Sequence, residues 1–471
     1  MTAAAQPPIL EKVDASLRLP VLIFFGCAAC WLVLGTFLCA VAGLKLVWPG
    51  FLDGPAFLTY GRIAPAAVSA LVYGWASSAG FGIVLWLLAR LGRTPLSYVV
   101  LPVAAAIFWN LGVFLGVLAI LAGYGRPVFL LEFPGFVSGI LFVAYLFIAV
   151  WGLFLFRRRA PGSVFVSAWY LLAALLWFPW LYFTGNALLV WGHPVAGPAQ
   201  APIASWFVSG IINLWLAPVA LAGAFYLIPQ ILGRRLVSYN LSLLGFWSFA
   251  LFAAWTGMAQ LIGGPVPAWM VSTGVVASIL LFIPVLVISI NLLGSMRGSF
   301  GALNWSPSLL FTVAGAGSFL LVYIEGALLA LPGVNAVFHF SDVVLGQGAL
   351  VLFGFVSMSF FGAIYYIVPR LTGQAWLSDC LIRSHFWLFT VAVGVGFLCL
   401  TFGGIAQGFA LSDPGVEFAS SVAFATPFRF MAALCAIALL VGSKCFACLF
   451  FRSVLSIFEP SAKPSAPGVI V

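Results

Sequence analysis

Few side chains in this 471-residue sequence can do chemistry: it holds ten Asp and Glu together and three His. Two of them, His339 and Asp342, crowd the entrance of one long apolar run in Asn335–Phe355, NAVFHFSDVVLGQGALVLFGF, where a short polar loop is expected to lead straight into a helix. An acid is favoured at a helix N-terminus, so Asp342 is expected to cap that helix and His339 to help fix its start. The next turns, Gly346-Gln347-Gly348-Ala349, offer nothing that binds a metal or moves a proton. Glu325 is the other acid at apparent membrane depth, where an ionisable group is costly and usually paired or functional. Glu132 reads as a helix-start carboxylate, His193 as a surface residue of a Gly/Pro-rich loop, and His385 as a structural hydrogen-bonding group. Cys27-x-x-Cys30 and Cys445-x-x-Cys448 have metal or redox spacing, but they fall on apolar helices with no second ligand pair or neighbouring His, so packed thiols are expected. The missing Cys-x-x-Cys-His excludes covalently attached c-type haem.

The elements that carry these residues are set by composition. With 64% hydrophobic and 6% charged residues, the chain cannot cover itself with a water-compatible surface. Twelve apolar runs are long enough for a hydrocarbon core of about 30 Å: 19–46, 64–90, 98–122, 129–155, 164–190, 205–230, 240–263, 269–294, 306–331, 342–368, 385–409 and 427–451. They are too long and too evenly apolar for barrel strands. The expectation is an all-α polytopic membrane protein: a cytoplasmic segment 1–18, one twelve-helix transmembrane domain 19–455, and a disordered tail 456–471 rich in Pro, Ser and Ala. No small-residue cleavage site follows the first run, which is therefore expected to be a retained helix.

With a cytoplasmic N-terminus, fifteen Lys and Arg fall on the cytoplasmic side and four (Lys45, Arg62, Arg126, Arg429) on the other, which places both termini in the cytoplasm. The net charge of +9 then reflects this asymmetry and contact with anionic headgroups, with no nucleic-acid partner. Trp177, Trp180, Tyr182 and Trp191 fit an interfacial aromatic belt.

Spacing across the chain adds a further expectation. Gly61, Arg62 and Pro65 precede the second run; Trp206, Phe225, Tyr226, Ile228 and Pro229 frame the sixth; Trp255-Thr-Gly-Met-Ala259-Gln260 is followed by Pro267-Ala-Trp269. Glu325-Gly326, Val334-Asn335 and His339-Phe-Ser-Asp342 follow, then Tyr365, Val368, Pro369 and His385-Phe386-Trp387. In this joint spacing, over roughly residues 58 to 400, the chain resembles subunit I of the haem-copper oxidase superfamily, most closely the catalytic subunit of the cbb-type cytochrome c oxidases. The resemblance implies that family's twelve-helix bundle. It also aligns six family histidines with Ala67, Ser209, Ala259, Gln260, Gln347 and Ala349.

Haem iron needs a strong axial donor and a copper reduction site needs imidazole nitrogens. Two haems and one copper would take six histidines where this chain has three. No catalytic residue, metal site, haem or copper is therefore expected; Met258, Met270, Met358 and Cys399 read as packing residues. The expected role is a degenerate, non-catalytic subunit that scaffolds or anchors a membrane complex, respiratory or other, in a bacterial inner membrane beside other membrane subunits. Two alternatives stay open: a proton, ion or small-solute conduit lined by Glu325, Gln347, Gln260 and Asn186, with His339 and Asp342 as further polar proton-path candidates, or an oxidoreductase subunit holding quinone or one unusually ligated haem; lipid or quinone is the expected occupant of any vacated cofactor space.

Overall fold

The computed structural model describes residues 8–162 and 164–457. Among the described residues, twelve helices are long and apolar enough to span a bilayer. They are α1 (Pro8–Val47), α2 (Tyr60–Gly92), α3 (Val100–Ala122), α4 (Gly135–Arg157), α5 (Val166–Leu189), α6 (Gly197–Leu232), α7 (Tyr239–Leu261), α8 (Ala268–Gly294), α9 (Pro307–Leu329), α10 (Val343–Thr372), α11 (Asp379–Ser412) and α12 (Phe418–Leu455). Helix is forced on these segments because lipid offers no hydrogen bonds to an open backbone. All twelve apolar runs are thus helices in a single all-α bundle.

Several helices outrun their apolar stretches. α1 begins at Pro8, inside the segment expected to precede it, because Asp14 is buried and accepts from Arg90 Nη1 (2.6 Å) and Trp86 Nε1 (3.0 Å). The expected tail lies, from residue 458 on, outside the described residues. Tyr182, expected in an interfacial belt, is 1% exposed and stacks on Phe178 at 5.3 Å in the core.

Consecutive helices pack side by side, and α12 closes the ring against α1. Inside that ring stand α2, α6 and α10, whose most apolar windows are 100%, 94% and 94% buried, against 33–61% for the other nine spans. The inner three touch one another and share one design. Each turns π-helical, at Ala70–Ala76, Ile211–Leu216 and Leu350–Ser357. Each then terminates on a left-handed residue, Arg93 (φ 50°), Gly233 (φ 62°) and Gly373 (φ 72°), equally spaced along the chain.

Corresponding positions meet on the central axis. Trp86, Tyr226 and Tyr366 form a closed triangle with ring centroids 5.8, 6.0 and 6.2 Å apart. At the π-helical level, Trp75 Nε1 donates to Ser357 Oγ (2.8 Å) and Trp215 Nε1 to Ser77 Oγ (3.2 Å). Those serines donate in turn to the carbonyls of Leu352 and Val72, five residues back, satisfying acceptors that a π turn leaves displaced. The third link of the cycle is missing because its members are Phe355 and Ala217, which can neither donate nor accept.

Candidate functional site

The six positions that the resemblance sets against family histidines lie on or beside these inner helices. Ala67, Ser209 and Ala349 each stand within a turn of the start of a π-helical segment. Single π turns inside α-helices re-aim side chains and concentrate at functional sites. The device that would point a ligand inward is therefore present in all three helices, while the side chains it aims are a methyl group or a hydroxyl.

Around Ser209 the space is filled by short polar contacts. Ser209 Oγ donates to its own helix at Trp206 O (3.1 Å) and Ser205 Oγ donates to Gly257 O (2.5 Å). The end of α7 runs as a 3-10 turn, Thr256–Leu261, pressed between α6 and α8. A Cβ on Gly257 would stand 2.5 Å from Ser205 O, and one on Gly274 2.2 Å from Ala259 N. Ala259 is buried and Gln260 is exposed. One turn beyond Ser209, Asn213 Nδ2 donates to Thr256 Oγ1 (3.0 Å) and Asn213 Oδ1 accepts from Tyr323 OH (2.7 Å), tying α7, α6 and α9 together. Sequence reading missed this chain, since one amide, one hydroxyl and one phenol far apart in sequence carry no spacing signal.

On the other side, between α1, α2, α10, α11 and α12, aromatic rings occupy the interior. A Cβ on Gly74 would lie 2.5 Å from the Trp31 ring and one on Gly82 2.5 Å from Phe25. Trp31 is held by Nε1 donating to Asn110 Oδ1 at 2.9 Å. Ala349 borders a cavity of about 120 Å³ shared with Thr36, Cys39, Phe353, Gly396 and Cys435. Ligand pockets begin at roughly 300 Å³, so this space does not take a macrocycle.

At one end of the bundle a short helix, Pro332–Phe338, occupies part of the expected loop before α10. Asp342 stands at the N-cap position of α10 but its side chain caps nothing. The expected capping role is corrected: the carboxylate is taken by Arg429 of α12, with Nε–Oδ2 2.6 Å and Nη2–Oδ1 2.9 Å, a bidentate geometry that outcompetes a single backbone N–H. Gln407 Oε1 instead accepts from the Asp342 N–H at 3.1 Å. His339 has no partner at Nδ1 among the described residues, and partial burial holds its pKa below the ordinary value.

Both carboxylate oxygens of Glu325 are buried with no hydrogen-bond partner among the described residues. Gln347 approaches the adjacent Gly326, its Nε2 3.3 Å from where a Cβ would stand. Asn186, by contrast, is fully buried and donates to Tyr182 O (2.8 Å). Of the four side chains named as a conduit lining, only Gln347 is brought near the Glu325 segment, at the neighbouring Gly326.

Glu132 is not a helix-start carboxylate: it precedes α4, is 5% exposed and accepts from Ser69 Oγ at 3.2 Å. Burial pushes its carboxyl up to about 7.

The three histidines do not converge. His193 is exposed in a loop, His339 lies beside Phe340, and His385 is fully buried with Nδ1 2.9 Å from Tyr365 OH. Its ring is enclosed by Phe311, Phe361, Phe389 and Phe446. No group of three His, Cys, Asp or Glu suited to a metal occurs among the described residues. The donors present thus do not fit the metal set of two haems and a copper.

Residues 20–438 match the family model described as cytochrome C and quinol oxidase polypeptide I. The chain is 26% identical over 401 residues to the cbb3-type cytochrome c oxidase subunit CcoN1 of Stutzerimonas stutzeri, covering 82% of this chain and 83% of that one. It is 25% identical to cytochrome c oxidase subunit 1 of Rhodobacter capsulatus, covering 80% and 73%. Its fold superposes on a heme-copper terminal oxidase solved as a dimer with a TM-score of 0.75, at 14% identity, over 98% of this chain and 86% of the other. By this match over most of its length, the chain belongs to the cytochrome c and quinol oxidase polypeptide I family of haem-copper oxidases.

Proposed function

We propose that this chain is a member of the family whose redox centres have been lost and that it serves as a scaffold or anchor subunit of a membrane complex. One observation carries the reading: no group of His, Cys, Asp or Glu suited to a metal gathers among the described residues, and the six positions that the resemblance sets against the family's metal histidines hold Ala, Ser or Gln. The packing of Trp31 and Phe25 and the Tyr323–Asn213–Thr256 chain support it, since each fixes helices to one another where a cofactor would otherwise do so. The bacterial relatives and the excess of Lys and Arg on one side favour a bacterial inner membrane with both termini in the cytoplasm.

An optical spectrum and metal analysis of the purified chain test the reading: no haem bands and no bound copper are expected. Stoichiometric reduced-haem bands would overturn it. The scaffold role requires stable partner subunits to co-purify.

The unpartnered carboxyl of Glu325, next in the chain to the Gly326 that Gln347 approaches, favours a second reading, a proton or ion path confined to one half of the bundle. Flux in proteoliposomes that disappears on Glu325→Gln would establish it.

A further inference from the structure

The ring closes where α1 meets α12, and the closure leaves a surface groove of about 450 Å³ lined by Ala29, Cys30 and Phe37 on one side and Lys444, Ala447 and Phe451 on the other. The two helices run antiparallel, Gly26 facing Phe450 and Gly43 facing Ala433. That register sets Lys444 level with Leu32, midway between Arg18 and Lys45 and about 20 Å along the axis from each. In a hydrocarbon core of about 30 Å centred between those two cations, Lys444 stands roughly 15 Å from either edge, which moves it out of the fifteen cytoplasmic-side charges among which the sequence count placed it. A lysine side chain cannot snorkel that far. Lys444 is nonetheless exposed on the bundle surface and has no hydrogen-bond or ion-pair partner among the described residues.

A cation at that depth normally faces the bundle interior and is paired, so the exposed face is incomplete. Along α12 the exposed residues Ile437, Val441, Lys444, Cys448, Phe451 and Leu455 follow steps of four and three, the spacing of a coiled-coil seam. Small residues beside it, Ala29, Cys30 and Ala447, let another backbone approach closely.

We infer that the α1/α12 groove is the docking site of a transmembrane helix from a partner subunit, bearing an Asp or Glu at mid-membrane that pairs with Lys444. The inference rests on the scaffold reading and names the chemistry of one partner. Charge and depth select this occupant. An anionic lipid headgroup stays at the interface and does not reach Lys444. A second copy of this chain, related by a two-fold axis through the groove, would set Lys444 against Lys444.

The test places a photo-crosslinking residue at Val441 or Cys448 in the full chain in its native membrane, with Val143 on the exposed face of α4 as control. Adducts at the α12 positions should map to an apolar span containing Asp or Glu. Their yield should fall about tenfold or more in Lys444→Ala and persist in Lys444→Arg. Adducts to lipid alone, to a second copy, or to protein in amounts that ignore Lys444→Ala would overturn the inference, as would no adduct. If partners still co-purify while the groove gives none of the expected adducts, the docking inference fails and the scaffold reading stands; if no partner co-purifies, both fail.

Discussion

Removing either member of the Asp342–Arg429 pair should cost more than a lost helix cap, and the two explanations separate in a double-mutant cycle. The pair joins the start of α10 to α12, with side chains 6% and 13% exposed, so solvent screens it little. Breaking one half of a buried pair costs 3–5 kcal/mol because the other charge is stranded. Near the rim of the bundle we take the lower end, about 3 kcal/mol for Asp342→Ala and for Arg429→Met alone. The double variant strands nothing and should be no worse than either single change, a coupling of about 3 kcal/mol. In a chain of this length that corresponds to a midpoint drop of roughly 3–6 °C for each single variant. The eight free cysteines allow a thiol-reactive dye to read the transition in detergent. A cap alone predicts about 1 kcal/mol for Asp342→Ala, additive with Arg429→Met. Additive losses of that size would refute the ion-pair account.

Glu132 should make stability depend on pH. Its folded carboxyl is pushed by burial from 4.5 to about 7, so between those values the native state holds a proton that the unfolded chain has released. Stability therefore falls as pH rises through that window, by about 3 kcal/mol in total, and levels off above it. Glu132→Gln should flatten the melting profile between pH 5 and 7; parallel profiles would show that the burial is relieved in solution. Restoring ligands at two aligned positions with Ala67→His/Ala349→His should not recruit haem in haem-supplied cells, because the cavity beside Ala349 is only about 120 Å³. Reduced-haem bands from that variant would show that Trp31 and Phe25 give way.

The spans were legible because apolar length is a one-dimensional property that the bilayer thickness reads directly. Their ends were less so. Pro8 to Arg18 is polar by sequence, yet it is helical because Asp14 finds Arg90 and Trp86 on a neighbouring helix. The non-ligating character of Ala67, Ser209 and Ala349 was visible as residue types at fixed spacing. The π-helical turns beside them were not, since a π turn shifts the phase of a helix without changing its composition. The Asp342 carboxylate was misread for a similar reason: local sequence shows a helix start, and the competing guanidinium comes from 87 residues away. Equal spacing of Arg93, Gly233 and Gly373 was the overlooked clue to the threefold interior.

The central axis is closed by the Trp86–Tyr226–Tyr366 triangle, and at the π-helical level the Trp75 and Trp215 indoles bond across it to Ser357 and Ser77. For an energised cell this is an electrical matter. Each charge that slips through a membrane dissipates about 2.3 kcal/mol per 100 mV, so a bundle with a water-filled axis would discharge the membrane that houses it. The closed triangle of rings makes the centre of this bundle an insulator.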